Sequence, residues 1–486
     1  MLIPVEMFFL GSALTGTRQQ RIRQTVTDGI LAGRYRAGDK LPSSRALAAH
    51  LGLARITVTL AYAELVAADY LVARGRSGYF VSDTAPRQQE FTKKQGLVRD
   101  AVDYAALTGR RFSSQPGVRK PADWREYPYP FIYGQADAAL FDHQNWRLCA
   151  LQALGRRDFA AMTTDYHETD DPMLIDAIIR LLLPRRGITA SPDQVLLTLG
   201  AQNALWLASQ VLLGPGRRAA IENPCYPGLR QVLSLSEAQV FSVDVDAHGL
   251  PPDRLPGRVD VVFTTASHHS PTNATMPMDR RMALLQAASA RDFVIVEDDY
   301  EFEMSFLKSV SPSLKSLDTE GRVIHAGSFS KSLFPGLRLG YLVGPAAFIH
   351  EARALRSAVL RHPPGHIQRT VAYFLGLGHY DALVNRMKQA FKRRRQVMDE
   401  AIAEAGMLVA GRGAFGGSSF WMEAPGVDTL VLAARLRADG VLIEPGRGFY
   451  GDTGPSHFYR LAYSSIAPAR IPEGIARIGR ALALTA

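Results

Sequence analysis

Apolar residues recur at helical spacing in three stretches near the start of the chain, and two short β-prone runs follow them. These five runs are residues 18–32, 42–51, 56–68, 70–73 and 78–81. Gly33 and Gly52 mark the ends of the first two helical runs, and a turn rich in arginine joins the two β-prone runs. The pattern predicts a small domain of three helices and a hairpin within residues 15–82.

From about residue 126 to the end, short apolar runs alternate with helical stretches. The runs lie at 195–198, 219–221, 261–264, 293–296, 323–325 and 339–343. Continuous apolar strands between helices are typical of a mostly parallel sheet covered on both faces, so we expect a large α/β domain over residues 126–486. Residues 83–125 have few apolar runs and several basic pairs, which indicates a linker.

The composition of the chain limits its expected cellular location and binding partners. The chain has 486 residues, 47% of them apolar, and a formal net charge of +10. Ten Lys and Arg stand against five Asp and Glu in residues 1–82, an excess that favours a polyanionic partner. The two cysteines lack metal-ligand spacing, and no run approaches the roughly 20 apolar residues of a membrane span. We therefore expect no metal, no membrane insertion and a reducing, cytoplasmic location.

The predicted elements of residues 15–82 have the order of a winged helix-turn-helix, whose later helix enters the major groove of DNA. That helix begins near Arg55, which suits a guanine edge or a phosphate. The start of the preceding helix can hold a phosphate through its free N–H groups, and the hairpin tip would meet the adjacent groove. The DNA-binding candidates are Ser43, Ser44, Arg45, Arg55, Thr57, Thr59, Arg74 and Arg76.

A lysine in a serine-rich turn follows the predicted strand at 323–325. This residue, Lys331, comes 33 positions after Asp298, which ends another apolar strand and is followed closely by Tyr300. The set meets the needs of pyridoxal 5'-phosphate (PLP), which requires an amine for a Schiff base and a carboxylate for its pyridinium nitrogen. We expect Lys331 to hold PLP, Asp298 to pair with the ring nitrogen and Tyr300 to contact the 3'-oxygen.

Residues that can hold the phosphate of PLP lie close to this lysine and at the start of a predicted helix. The guanidinium fork matches phosphate oxygens, and the N–H groups of a helix start bind anions. The phosphate-binding candidates are Ser328, Ser330, Arg338, Gly200, Ala201 and Gln202.

Two parts of the chain resemble known families. Residues 38–81, above all 41–45, resemble the DNA-binding domain of the GntR family, and residues 126–486 resemble a fold-type I aminotransferase. Together they resemble the MocR/GabR family of bacterial regulators, in which the motifs around Asp298, Lys331 and Arg338 occur in this order. The resemblance implies a PLP-dependent regulator that binds a double-stranded DNA operator as a head-to-tail homodimer. It also implies that an amino-acid-like inducer bearing an amino group is sensed through aldimine exchange at Lys331.

The resemblance assigns two further residues. Residues 222–227 resemble the loop whose aromatic side chain stacks on the pyridine ring, so Tyr226 is the stacking candidate, with ordinary core packing as the alternative. Residues 458–463 resemble the segment whose arginine binds an amino acid's α-carboxylate, so Arg460 is the inducer-binding candidate, with a structural ion pair as the alternative.

Residues 267–276 depart from the aminotransferase pattern, because Ser270 stands where many of these enzymes have Asn. Loss of that amide favours ligand sensing over efficient transamination. His268 and His269 are candidates for hydrogen bonds to the cofactor or inducer, and loop packing is the equal alternative. The same loop resembles that of regulators of ectoine utilisation, whose signals derive from diaminobutyrate. Residues 166–168 resemble a segment that reaches the partner subunit's phosphate, but the chain departs from that pattern, because Asp170 and Asp171 lie where a glycine usually follows Tyr166.

Two other functions would use the same cofactor residues. One is a working aminotransferase with an ancillary helical domain, and the other is a regulator that senses PLP itself as a sign of vitamin B6 supply. Turnover of an amino donor would favour the first, and DNA binding changed by PLP alone would favour the second. The winged helix and the basic linker favour a regulator with at most residual transaminase activity.

Overall fold

A computed structural model describes residues 1–10, 16–86, 102–109, 120–165, 168–309, 311–451 and 454–484. The chain forms two compact units, Met1–Gly109 and Arg110–Ala486. The division between them falls inside the segment 83–125 that the sequence assigns to a linker. Each unit is a fold in its own right.

The first unit holds the helices and the hairpin that the sequence predicts. Its elements are α1 (Arg18–Leu31), α2 (Ser44–Leu51), α3 (Arg55–Ala67), β1 (Leu71–Ala73), β2 (Tyr79–Val81) and a short α4 (Tyr104–Leu107). Thr17 starts α1 with a capping box, and the Ser43 hydroxyl accepts from the Ala46 N–H at the start of α2. Gly52 ends α2 in the left-handed region at φ 63°, a conformation that glycine adopts without strain.

The chain start also belongs to this unit, although the predicted winged helix begins at residue 15. Ile3 and Phe8 are buried in the same apolar core as α1, α2 and α3. The Ile3 N–H donates to the Lys40 carbonyl at 2.8 Å, and the Lys40 N–H donates to the Met1 carbonyl at 2.7 Å. Lys40 in turn forms an isolated bridge with Phe80 of β2, so backbone pairing through Lys40 links the chain start to the wing.

The second unit alternates strands and helices. Its strands are β3 (Tyr129–Pro130), β4 (Val195–Thr198), β5 (Arg218–Asn223), β6 (Gln239–Asp244), β7 (Val261–Thr264), β8 (Val294–Asp298), β9 (Val323–Ser328), β10 (Gly340–Val343), β11 (Leu408–Arg412), β12 (Ser419–Glu423), β13 (Val441–Leu442), β14 (Glu444–Pro445) and β15 (Phe458–Ala462). Its helices are α5 (His143–Ala153), α6 (Phe159–Thr163), α7 (Pro172–Ala177), α8 (Ala201–Leu212), α9 (Pro227–Leu233), α10 (Met278–Arg291), α11 (Leu314–Leu317), α12 (Ala346–Leu360), α13 (Gly365–Gly376), α14 (His379–Glu404), α15 (Thr429–Ala438), α16 (Arg447–Tyr450) and α17 (Ile471–Ala483).

The main sheet has seven strands in the order β4-β10-β9-β8-β7-β5-β6. Neighbours from β9 to β6 run parallel, whereas β10 is antiparallel to both β9 and β4. The mostly parallel α/β sheet predicted from the apolar runs is therefore confirmed, with β10 as the one reversed strand of this sheet. Wholly buried strands such as β7 and β9 explain why these runs carry no polar alternation.

A smaller antiparallel sheet of order β11-β12-β15-β14 lies in the same unit. In its register Glu444 of β14 stands directly opposite Arg460 of β15. The main sheet places Asp298 and Ser328 at the carboxyl ends of β8 and β9, the edge where ligands bind in open α/β sheets. No helix within the described ranges is long and apolar enough to cross a membrane.

Candidate functional site

A cavity of about 500 Å³ lies in the second unit and is lined from the ends of β8 and β9. Ten residues singled out from the sequence line it, namely Lys331, Asp298, Tyr300, Ser328, Ser330, Arg338, Ala201, Gln202, Tyr226 and Arg460. Gly200 lies beside it, where a Cβ would come 3.4 Å from the Arg338 guanidinium. The fold thus gathers into one site residues that are far apart in the chain.

Lys331 follows β9, and its Nζ lies 4.0 Å from the centre of the Tyr133 ring. Burial lowers the pKa of Lys331 to about 7, and the positive charges of Lys120 and Arg460 act in the same direction. The amine is therefore close to half neutral near pH 7, and the neutral amine is the form that attacks a carbonyl carbon. Gly134 faces this amine at φ +71°, and a Cβ there would collide with Nζ.

Asp298 ends β8 within a group of acids. Burial raises the pKa of Asp298 to about 7, and the charges of Asp299 and Glu222 add to the rise. Its Oδ1 is buried and has no hydrogen-bond partner among the described residues. A buried polar atom without a partner is costly, so this position suits a ligand that brings a cationic N–H donor.

An arginine that the sequence analysis did not single out supports this strand end. Arg186 and Asp299 form a buried ion pair with an Nε–Oδ2 distance of 2.5 Å. The same guanidinium donates to Ser267 Oγ and to the Ser311 carbonyl, each at 2.7 Å. Arg186 thereby pairs with the acid next to Asp298 and fixes the backbone on which Asp298 is carried. No local sequence motif predicts the role of Arg186, because its partners lie more than 80 positions further along the chain.

Donors for an anion converge on one end of the cavity. Arg338 lies in the left-handed region at φ 51°, and its Nη2 donates to the Leu199 carbonyl at 3.0 Å, just before α8 begins. Ser328 Oγ accepts from the Ser330 N–H at 3.2 Å, which leaves its own proton available to a ligand. Together with the free N–H groups at the start of α8, these residues fit a phosphate.

Tyr226 stands at the start of α9 and lines the cavity. Its hydroxyl donates to Gln202 Oε1 at 3.4 Å. A Cβ on Gly228 would come 2.5 Å from the Tyr226 ring, so glycine at position 228 makes room for the ring. Tyr226 is about 36% exposed, which separates it from ordinary core packing and suits a ring that covers a ligand.

Arg460 lines the cavity and is also held in an ion pair. Its Nε donates to Glu444 Oε2 at 2.8 Å, and its guanidinium lies 4.0 Å from the Tyr133 ring centre and 4.7 Å from that of Phe449. Arg460 therefore forms a structural ion pair, which is one of the two alternatives that the sequence left open, and it also lines the cavity. The sequence analysis missed Tyr133 and Glu444, and it placed Lys120, which also lines the cavity, in the linker.

Neither His268 nor His269 lines this cavity. His269 Nδ1 lies 2.7 Å from Thr272 Oγ1, and its Nε2 lies 3.4 Å from Glu222. His268 Nε2 lies 3.3 Å from Glu301, and burial lowers the pKa of both histidines. The geometry therefore favours loop packing for the pair and corrects the expected direct contact with cofactor or inducer. Ser270 does line the cavity, whereas Tyr166 lies outside the described residues.

The DNA-binding candidates occupy three places on the first unit. Arg45, Arg55, Arg74 and Arg76 are exposed, and the Arg74 guanidinium lies 4.9 Å above the ring of Phe80. Thr57 and Thr59 are half-buried on α3, and the Thr59 hydroxyl donates to the Arg55 carbonyl at 3.0 Å. The positions agree with a recognition helix and a basic wing tip.

Ser44 differs from the other candidates, because it is buried. Its hydroxyl lies 3.4 Å from Arg55 Nε and accepts its hydrogen bond, so it orients the arginine rather than facing a phosphate. Ser43 caps α2, as its position before the helix predicts. Sequence reasoning missed Ile56 and Leu60, which are 62% and 46% exposed on α3 and suit thymine methyl groups in a major groove.

Comparison with known proteins agrees with both folds. A family model described as "Aminotransferase class I and II" matches residues 140–478, and one described as "Bacterial regulatory proteins, gntR family" matches residues 18–81. The crystal structure of the kynurenine aminotransferase of Pyrococcus horikoshii superposes with a TM-score of 0.69 at 26% identity, covering 80% of this chain and 98% of that one. The fold and the cavity thus define an aminotransferase-like effector domain joined to a GntR-type head.

Relatives that match over nearly the full length of the chain identify its family more narrowly. It is 65% identical over 486 residues to the HTH-type transcriptional regulator TauR of Rhodobacter capsulatus, covering 99% of this chain and 100% of the relative. It is 28% identical to the probable rhizopine catabolism regulatory protein MocR of Rhizobium meliloti, covering 92% and 90% of the two chains. The chain belongs to the MocR/GabR subfamily of GntR-type transcription regulators.

Among its described residues, no group of three or more His, Cys, Asp and Glu side chains could hold a metal ion.

Proposed function

We propose that this regulator holds PLP on Lys331 and responds to an amino-acid-like inducer that bears a primary amine. The observation that carries the proposal is Asp298, whose buried Oδ1 has no hydrogen-bond partner among the described residues. A pyridinium N–H would supply both the missing donor and the missing positive charge. Lys331, with its pKa lowered to about 7, lines the same cavity.

The remaining cavity residues fit the other parts of the cofactor. Ser328, Ser330, Arg338 and the start of α8 suit its phosphate, Tyr226 suits the face of its ring, and Tyr300 suits its 3'-oxygen. When bound, PLP would supply an aldehyde carbon that condenses with a primary amine with release of water, and that exchanges one amine for another with release of the first, without net oxidation or reduction. Arg460 is held beside Lys331 by Glu444 and Tyr133, where it would orient an inducer's acid group.

The head would bind the operator through the α3 face and the wing. Arg55, Arg74 and Arg76 are exposed for phosphate or base contacts, while Ser44 orients Arg55. The domain division that we propose is a head over 15–82, a linker over 83–125 and an effector domain over 126–486. A head-to-tail homodimer would present two heads to repeated half-sites. An inducer would change DNA binding only by its different affinity for the two states of the effector domain.

Ser270 favours a regulator that senses an amine over a working aminotransferase. This residue lines the cavity at the position where many aminotransferases have Asn, and it cannot supply that residue's amide N–H groups. A regulator that senses PLP itself would use the same residues, so the experiment must distinguish PLP from PLP with an amine.

The first experiment is an absorbance spectrum of the purified protein, with Lys331→Ala as the test variant and Lys308→Ala as the control. Lys308 is exposed and lies outside the cavity. We expect a visible imine band in the wild type and in the control, and none in Lys331→Ala even after PLP is added. A wild type without the band after PLP addition would refute the cofactor assignment.

The second step is DNA binding by fluorescence anisotropy on the promoter region adjoining the regulator's own gene. It compares PLP alone with PLP plus a panel of amines that includes diaminobutyrate derivatives. A change that requires the amine supports the proposal. A change with PLP alone identifies a PLP sensor, and steady formation of keto product from the amine identifies an enzyme.

A further inference from the structure

Among the described residues, the part of the cavity around Arg460 contains two cations and one acid. Lys120 and Arg460 both line it, and Glu444 lies between them. Glu444 Oε2 accepts from Arg460 Nε at 2.8 Å, whereas Glu444 Oε1 lies 3.9 Å from Lys120 Nζ. This second oxygen is buried and has no hydrogen-bond partner among the described residues. Lys120 Nζ instead donates to the Tyr133 carbonyl.

One acid cannot neutralise two cations, so this end of the cavity has an excess of positive charge. Burial lowers the pKa of Lys120, which indicates that its ammonium lacks full compensation even though Glu444 acts in the opposite direction. The same ammonium lowers the pKa of Lys331, so its charge is felt at the reactive amine. A partly buried charge excess is stabilised by an ion of opposite sign.

Arg460 and Lys120 are held in different ways. Arg460 is fixed by its cross-strand partner Glu444 and by two aromatic rings. Lys120 is about 31% exposed in its side chain, and among the described residues it contacts the Tyr133 carbonyl and, at long range, one oxygen of Glu444. Its four-carbon stem allows the ammonium to turn toward a ligand, which the clamped guanidinium of Arg460 cannot do.

We propose that Lys120 is a specificity-determining residue of the effector site, where it binds the acidic group of the inducer together with Arg460. This inference rests on the proposed function and deepens it. The ligand class is a primary amine that carries an oxyanion, a carboxylate, sulfonate or phosphonate, at its other end. Lys120 belongs to the segment that the sequence assigns to the linker, so a ligand bound to it contacts that segment directly.

The test uses amines that differ only in one terminal group. They are n-propylamine and its derivatives with a carboxylate, a sulfonate or a phosphonate on the third carbon. Each is titrated into the PLP-loaded full-length protein, and the shift of the absorbance band gives its affinity. For each acid, the ratio of its affinity to that of n-propylamine measures recognition of the acid group alone. The three ratios show which oxyanion the site prefers.

The variants are Lys120→Met, Lys120→Arg and the control Lys308→Met. We expect Lys120→Met to lower the acid-to-propylamine ratio by about tenfold or more, the value of one charged hydrogen bond. The ratio cancels any change that the lost charge makes to amine exchange at Lys331, because that change affects n-propylamine and the acids alike. Lys120→Arg should retain most of the ratio. Loss of the Lys120 charge should also move the pH midpoint of PLP loading upward, which a merely structural role would not do.

The outcomes separate this inference from the function on which it rests. If amines shift the band and Lys120→Met keeps the wild-type ratio within twofold, the role of Lys120 is wrong and the proposed function stands. If the wild type binds acids no better than n-propylamine, the ligand class is wrong. If no amine shifts the band of the wild type, the proposed function fails and this inference with it. Thermal unfolding of each variant confirms that it is folded.

Discussion

Replacing Asp298 with Asn separates two effects that the carboxylate has. Without cofactor, burial and the neighbouring acids Asp299 and Glu222 raise the pKa of Asp298 from its usual 3.8 to about 7. An acid whose pKa is higher in the folded state binds more protons when folded. The free energy of unfolding therefore falls as the pH rises from about 4 to 7 and then stays level. Above pH 7 the carboxylate destabilises the cofactor-free protein.

The size of this effect follows from the pKa. A rise from 3.8 to about 7 corresponds to roughly 4 kcal/mol at about 1.36 kcal/mol per unit. The uncharged, isosteric Asn removes the penalty. We therefore expect Asp298→Asn to raise the free energy of unfolding of the cofactor-free protein at pH 8 by up to about 4 kcal/mol, and by only about 1 kcal/mol at pH 4.5. The same change removes a charged hydrogen bond to the pyridinium nitrogen, so PLP affinity should fall about 10- to 150-fold.

Urea unfolding of the cofactor-free protein, followed by tryptophan fluorescence at pH 4.5 and 8, measures the first effect, and titration with PLP measures the second. Asp299→Asn is the matched control, because it leaves Arg186 buried without its ion-pair partner and should cost about 3–5 kcal/mol. Two adjacent aspartates should thus change stability in opposite directions. The reasoning is refuted if Asp298→Asn destabilises the protein at pH 8, or if it binds PLP as tightly as the wild type does.

Three further predictions concern the cavity and the head. Gly134→Ala puts a methyl group against Lys331 Nζ at φ +71°, so the imine band should weaken and urea unfolding should show a loss of about 1–2 kcal/mol. Since the pKa of Lys331 is about 7, the rate at which added PLP develops the band should rise up to about pH 7 and then level; a rise that continues to pH 10 would contradict this. Arg55→Ala should weaken operator binding in anisotropy titrations and reduce its salt dependence by about one phosphate contact, whereas Ser44→Ala should weaken binding with the salt dependence retained.

The parts of the site that the sequence predicts are those carried by consecutive, chemically specific residues at strand ends. Asp298 and Tyr300 share one such run, and Ser328 to Lys331 share another. The alternation of buried strands and helices predicts the sheet, and parallel strands bring their carboxyl ends to one edge, so these runs had to meet. The same logic applies to the head, where the helix bounds follow from caps and glycines that can be read directly.

The residues that sequence reasoning missed reach the site through tertiary contacts. Arg186 pairs with an acid 113 positions away, and Glu444 acquires its role from the cross-strand register with Arg460. Lys120 stands in a basic, turn-rich stretch that has the composition of a linker, which hides its place in the cavity. His268 and His269 are the opposite case, because polar residues in a cofactor loop can equally pack close to buried acids outside the cavity.

On the proposed function, the charges around the cavity would connect recognition of an inducer with release of the lysine. Lys120 and Arg460 both lower the pKa of Lys331 and so favour its neutral, imine-forming amine. An oxyanion bound between these two cations would offset their charge at Nζ and raise the pKa of Lys331. The freed lysine would then be held as an ammonium, near the buried carboxylate of Glu301, which acts on Lys331 in the same direction. An amine with an acid group would therefore both bind and favour the exchange, whereas an uncharged amine would gain neither effect.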